Sequence, residues 1–158
     1  QWHSTKAQEL LTKMKETYPD DFKKVMGDDF KDLTKTSLRT EKWDDSKITR
    51  FQALMKSEKF QKVMDDLTET DVKTYIKNAV DAGITDKAAI ALYCRMQNAG
   101  IGWAETVLAK AKTKDLKGIY DALAASDYVK TWKLGSYYEK FYAELQTKDF
   151  TKLDENLA

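Results

Sequence analysis

Gln97 and Asn98 close an apolar run that begins at Ala88, and the chain opens Gln1-Trp2-His3-Ser4-Thr5. Both stretches gather side chains suited to holding a polar ligand. An amide donates and accepts hydrogen bonds, a hydroxyl does the same, and an indole offers a broad apolar face with one N–H at its edge. None of these groups is a strong acid, base or nucleophile. His3 is the single histidine, and no orienting acid lies near it in sequence, so a nucleophile–histidine apparatus is not expected there. Cys94 is the single cysteine, which excludes an internal disulfide and a Cys/His zinc site. Metal chemistry would have to rest on carboxylates alone, and neither a metal nor another cofactor is expected.

Acids are plentiful but poorly placed for chemistry. Asp44 and Asp45 follow Trp43 and precede an apolar periodic segment, where carboxylates ordinarily cap a helix or meet its positive end. Gln97 and Asn98 admit two roles, capping the chain reversal at Gly100 or looking into a cleft. The stretch from Asp127 to Leu145 carries Tyr128, Trp132, Tyr137, Tyr138, Phe141 and Tyr142. Tyr138, Phe141, Tyr142 and Leu145 keep helical spacing and read as core, leaving Trp132 or Tyr137 for exposed stacking. Lys110, Lys112, Lys114 and Lys117 alternate with apolar residues and read as a solvated face.

The elements that carry these residues are expected to be helices. The chain has 158 residues, 42% of them hydrophobic, with one Pro and six Gly, which is too little punctuation for many short strands. An all-α fold in a single helical domain, residues 1–158, with little or no β-sheet follows. Lysines and arginines number 27 against 26 acids, a net charge of +1 that supplies no field for nucleic acid or an anionic membrane. No apolar run approaches the ~20 residues that span a bilayer, so no membrane span is expected.

The first helix is predicted from a Ser4 or Thr5 cap to about Glu16, with Ala7, Leu10, Leu11 and Met14 as its apolar stripe. Tyr18-Pro19 ends it and Pro19 starts a short helix that stops at Gly27. Another short helix is predicted at 28–36 and a loop at 37–45. Ser46 is predicted to cap the next helix. Apolar spacing then runs from Ser57 to a C-terminal glycine, Gly83, with one break at 68–71. Thr85 is predicted to cap a helix over 86–98, followed by helices from near Trp103, over 114–125, over 137–146 and over 149–156.

The helix over 86–98 is apolar nearly all round, which marks a central element with other helices packed about it. Arg95 interrupts that surface. A buried guanidinium needs a partner, so Arg95 is expected either to pair with Asp65 or Asp66 of the long helix or to reach solvent from the helix end.

Residues 57–111, "SEKFQKVMDDLTETDVKTYIKNAVDAGITDKAAIALYCRMQNAGIGWAETVLAKA", resemble the core of chitosanase-like glycoside hydrolases and related phage cell-wall hydrolases of the lysozyme superfamily. The features in common are a long helix ending at a Gly-Ile-Thr turn and a buried helix closing in Gln97-Asn98-Ala99-Gly100-Ile101-Gly102. The opening "QWHSTKAQELL" resembles the place where that superfamily's chain leaves a small sheet and enters a helix. The resemblance implies a lysozyme-superfamily-like helical lobe, the C-terminal part of a larger domain, that hydrolyses β-1,4 amino-sugar linkages without a cofactor. It places Gln1, Trp2, His3, Ser4, Tyr93, Gln97 and Asn98 against substrate. It also puts the general-acid glutamate on a helix upstream of Gln1, and residues 1–5, where a second carboxylate would be sought, contain no acid. Near-neutral charge favours cell-wall peptidoglycan over polycationic chitosan, and with it an extracellular or cell-wall location and a phage or bacterial origin. The alternatives are a noncatalytic helical module that binds a protein or a glycan, and a small-ligand bundle with Arg95 as anion anchor.

Overall fold

Short acidic and hydroxyl side chains decide where several helices of this chain begin. The structure is a computed structural model and describes residues 4–27 and 44–150. It is all-α: among the described residues there are nine helices and no strand. The helix predicted at 28–36, all but the first two residues of the one predicted at 149–156, and nearly all of the loop at 37–45 lie outside the described residues. Chain contacts define two compact units, Gln1–Thr70 and Asp71–Ala158.

In the N-terminal unit α1 spans Ser4–Thr17 and buries Leu10, Leu11 and Met14 at the helical spacing read from the sequence. Pro19 begins α2, Pro19–Met26, where its missing N–H costs nothing, and Gly27 ends it at φ 74°. The carbonyl of Met26, an orphan acceptor at that end, takes a 2.7 Å hydrogen bond from Arg50 Nη1. Arg50 belongs to α3, Asp45–Lys56, capped by Asp44, whose carboxylate accepts from Lys47 N at 2.7 Å. The cap is therefore Asp44 rather than Ser46, because an aspartate two residues earlier already offers an acceptor to the first turn. Phe22, Met26, Leu54, Phe60, Val63 and Met64 join the α1 residues in one core.

The longest helix, α4, spans Glu58–Asp81 and runs continuously through the gap in apolar spacing at 68–71. Its threonines there return their hydroxyls to the preceding turn, Thr68 to Met64 O and Thr70 to Asp66 O, which satisfies them without leaving the helix. The boundary between the two units falls inside this helix. Gly83 ends it as the sequence indicated. With φ at 79°, the Gly83 N–H bonds to Val80 O and the Ile84 N–H to Ala79 O, the paired bonds of a Schellman turn.

The C-terminal unit adds α5 Lys87–Ala99, α6 Ile101–Lys110, α7 Leu116–Ala124, α8 Asp127–Thr131 and α9 Gly135–Thr147. Caps are again acidic or hydroxylic: Asp86 for α5, Asp115 for α7, Ser126 for α8. Asp86 rather than Thr85 caps α5, accepting from Ala88 N and Ala89 N. Gly118 lies so close to the Thr113 carbonyl that a Cβ there would sit 2.4 Å from the oxygen. The unit's core is built from Ile76, Ala79 and Ile84, the inner residues of α5, Ala104 and Val107 of α6, Ile119 and Leu123 of α7, and Tyr138 and Leu145 of α9.

Candidate functional site

The expected hub is present as α5. Ala89, Ile90, Leu92, Tyr93, Met96 and Gln97 are buried, Ala88, Ala91 and Cys94 partly so, and Arg95 and Asn98 form the wet stripe. Burial pushes the Cys94 thiol up to about 11, where it behaves as a small apolar side chain at neutral pH.

Arg95 pairs with neither Asp65 nor Asp66. It is exposed, donates from Nε to the Tyr137 hydroxyl at 2.7 Å, and holds its guanidinium carbon 5.4 Å from the centre of that ring. Asp66 is instead taken by Lys62 one turn back on α4. A guanidinium at the edge of a hub keeps its hydration and needs no carboxylate, whereas one in the core would.

Arg95 thus takes the solvent-reaching alternative, whereas Gln97 departs from both roles expected of it. It is 2% exposed and both ends of its amide are used inside the protein. Its Oε1 accepts from Asn78 Nδ2 at 2.8 Å and its Nε2 donates to Tyr75 O at 2.8 Å. This is neither a cap nor a cleft wall; it is a strut between α5 and α4, partnered at both amide atoms and too buried to meet a ligand. Asn98, one residue on, is exposed. Gln1, Trp2 and His3 lie outside the described residues, and Ser4 opens α1.

Tyr93 stands apart from the other candidates. It lines a groove of about 540 Å³ together with Asn78 and Asp81 at the end of α4, Glu105 and Leu108 of α6, and Lys114. Burial raises the Tyr93 pKa and the charge of Glu105 adds to the rise, so the phenol stays protonated and available as a donor. Among the described residues no protein group hydrogen-bonds the Tyr93 hydroxyl, and Glu105 has no ion pair. Asp81 is held by Lys77 on its own helix, and Lys114 Nζ donates to Ala82 O at 2.6 Å, fixing one rim. The groove therefore presents a neutral phenol, a free carboxylate, an amide shared with the hub and an apolar patch. A few polar groups converging beside an apolar patch are the usual make-up of a small-ligand site.

Sequence reasoning missed Asn78, Asp81 and Glu105 because nothing in their spacing sets them apart from the solvated acids and amides around them. Lys114, read as part of a solvated face, is indeed exposed, as are Lys110, Lys112 and Lys117. A second depression of about 440 Å³ is lined by these lysines, but Lys117 is paired with Asp121, and Asp115 is spent on Gly118 N and Thr113 Oγ1. Among the described residues no group of three or more His, Cys, Asp or Glu is placed to hold a metal ion, and no helix is long and apolar enough to cross a membrane. No family model, curated protein or solved structure matches the chain.

Proposed function

We propose that this chain engages peptidoglycan-type glycans as the helical lobe of a cell-wall glycoside hydrolase, with the groove beside Tyr93 holding a β-1,4-linked amino sugar. The observation that carries the reading is the meeting, along one groove, of the Tyr93 phenol, its ring buried and its hydroxyl open to solvent, with the Glu105 carboxylate, neither of which has a polar protein partner among the described residues. Both groups are hydrated and uncommitted, so sugar hydroxyls and an acetamido group can replace their water without breaking a protein hydrogen bond. The resemblance of residues 57–111 to chitosanase-like hydrolases supports the same substrate class. Cleavage would need one carboxyl group to protonate the leaving oxygen and a second carboxylate to serve as base or nucleophile. Glu105 and Asp81 are the groove's two acids, and the Lys77–Asp81 pair is exposed and weak enough to open.

A second reading, a noncatalytic glycan-binding module, is favoured by one feature: Asp81 is engaged, so Glu105 stands as the groove's lone unpaired acid. One assay separates the two. Purified cell-wall sacculi are incubated with the chain, and both co-sedimentation and release of reducing ends are measured for wild type and Glu105→Gln. The hydrolase reading expects co-sedimentation and release, with release falling about 100-fold or more in the variant. Co-sedimentation without release supports the module. Failure to co-sediment removes both.

A further inference from the structure

We propose that Arg95, backed by Tyr137, is a recognition site for a ligand carboxylate, separate from the groove. The inference rests on the glycan reading for the identity of its ligand, though not for its geometry. Tyr93 and Arg95 are two residues apart on α5, so their side chains leave the helix about 200° apart. The groove and the guanidinium thus occupy opposite sides of that helix.

Three observations mark Arg95 as prepared for an anion. Its Nε is committed to the Tyr137 hydroxyl at 2.7 Å and its guanidinium carbon lies 5.4 Å from the centre of that ring, two contacts that restrain the side chain. Tyr137 is itself braced, edge-on by Tyr138 at 5.0 Å and in stacked orientation by Phe141 at 6.4 Å. Among the described residues no carboxylate pairs with Arg95 and no group accepts from Nη1 or Nη2, which leaves the terminal fork of this exposed side chain unused. A restrained guanidinium with a free fork matches the two oxygens of a carboxylate, and part of the ordering that usually weakens a surface ion pair is already made.

The surroundings favour a carboxylate attached to a ring. Tyr137 is 43% exposed and Trp132, in the turn that leads into α9, is 68% exposed. Lys133, next to that Trp, adopts φ 53°, a left-handed conformation unusual for a residue with a side chain and one that accumulates at ligand sites. Within a peptidoglycan-type glycan two carboxylates meet this description, the lactyl ether of N-acetylmuramic acid and the terminus of a peptide stem.

The test records nitrogen–proton spectra, including the Arg95 Nε–H, while N-acetylmuramic acid, N-acetylglucosamine or N-acetyl-D-alanyl-D-alanine is added. The two sugars differ in the lactyl carboxylate. N-acetylmuramic acid should shift the Arg95 and Tyr137 signals, N-acetylglucosamine should not, and Arg95→Gln should weaken the response about tenfold or more. A stronger response to the dipeptide also supports the site and assigns it to the stem. Equal shifts from both sugars, no shift at Arg95 from either carboxylate, or an undiminished response in Arg95→Gln would overturn it. Loss of glycan binding in the groove with the Arg95 response intact would count against the groove alone. Tyr137→Phe keeps the ring and removes the acceptor, so a weakened response there, with the fold unchanged, separates positioning from simple charge attraction.

Discussion

The Asp86 carboxylate holds the start of a helix 30 residues away: Leu116 N donates to Asp86 Oδ2 at 2.8 Å. Its other oxygen accepts from Ala88 N at 3.0 Å, so one side chain satisfies the first turns of both α5 and α7. Orphan N–H groups at a helix start must find acceptors, and here two helices find the same one. Asp86→Ala is expected to destabilise the protein by about 2 kcal/mol or more, beyond an ordinary lost cap, because Leu116 N is left partly buried and unpaired. Denaturant midpoints for Asp86→Ala and Asp86→Asn measure this, with Asn retaining part of the capping. An Ala variant as stable as wild type would show the bridge to be incidental.

Gln97 gives a prediction of the opposite kind, in which stability moves and ligand affinity does not. Gln97→Ala removes a buried strut and strands the Asn78 amide, a loss of about 2–3 kcal/mol. Glycan affinity measured well below the variant's melting temperature should stay within about twofold, since a 1.4 kcal/mol change would be tenfold. A selective loss of affinity would return Gln97 to the binding surface.

Alkaline pH should weaken the C-terminal unit. Burial raises Cys94 from an ordinary 9.0 to about 11 and Tyr138 from 10.0 to about 12. In the unfolded chain these groups ionise at their ordinary values, so from pH 9 upward the unfolded state has lost protons that the folded state keeps. Stability is thus fully present below pH 9 and declines as pH rises through the folded values. Denaturant midpoints between pH 8 and 11 should fall, and Cys94→Ala should flatten the first part of that fall. A profile identical in the variant would show that the thiol does not contribute.

Much of the fold was legible in residues 4–26 and 87–99, where apolar spacing and strong stops such as Pro19 and Gly83 agree with each other. Helix starts slipped by a residue or two, as at Asp44 and Asp86, because several capping residues stand side by side and only the turn geometry chooses among them. The short α8 was not foreseen; five residues are too few to display a period, and its end uses Lys133 in a left-handed turn where glycine is the usual signal.

The site was less legible for a different reason. Tyr93 was among the residues expected to meet a ligand, and it does line the groove, but Gln97 turned inward because Asn78 and the Tyr75 carbonyl lie across from it. Partners 19 and 22 residues away decide such a side chain, and spacing along one helix cannot register them. Arg95 follows the same rule: its partner Tyr137 is 42 residues on, aromatic rather than acidic, and invisible to a search for opposite charges.

The central claim is that the Tyr93 hydroxyl and Glu105 together hold an amino sugar. Calorimetric titration with a linear β-1,4 N-acetylglucosamine trimer, on wild type, Tyr93→Phe and the double variant with Glu105→Gln, addresses it most directly. The account predicts saturable binding, a loss of about fivefold or more on removing the single oxygen of Tyr93, and a further loss in the double variant. Binding that is absent in the folded wild type, or identical in all three proteins, would contradict it.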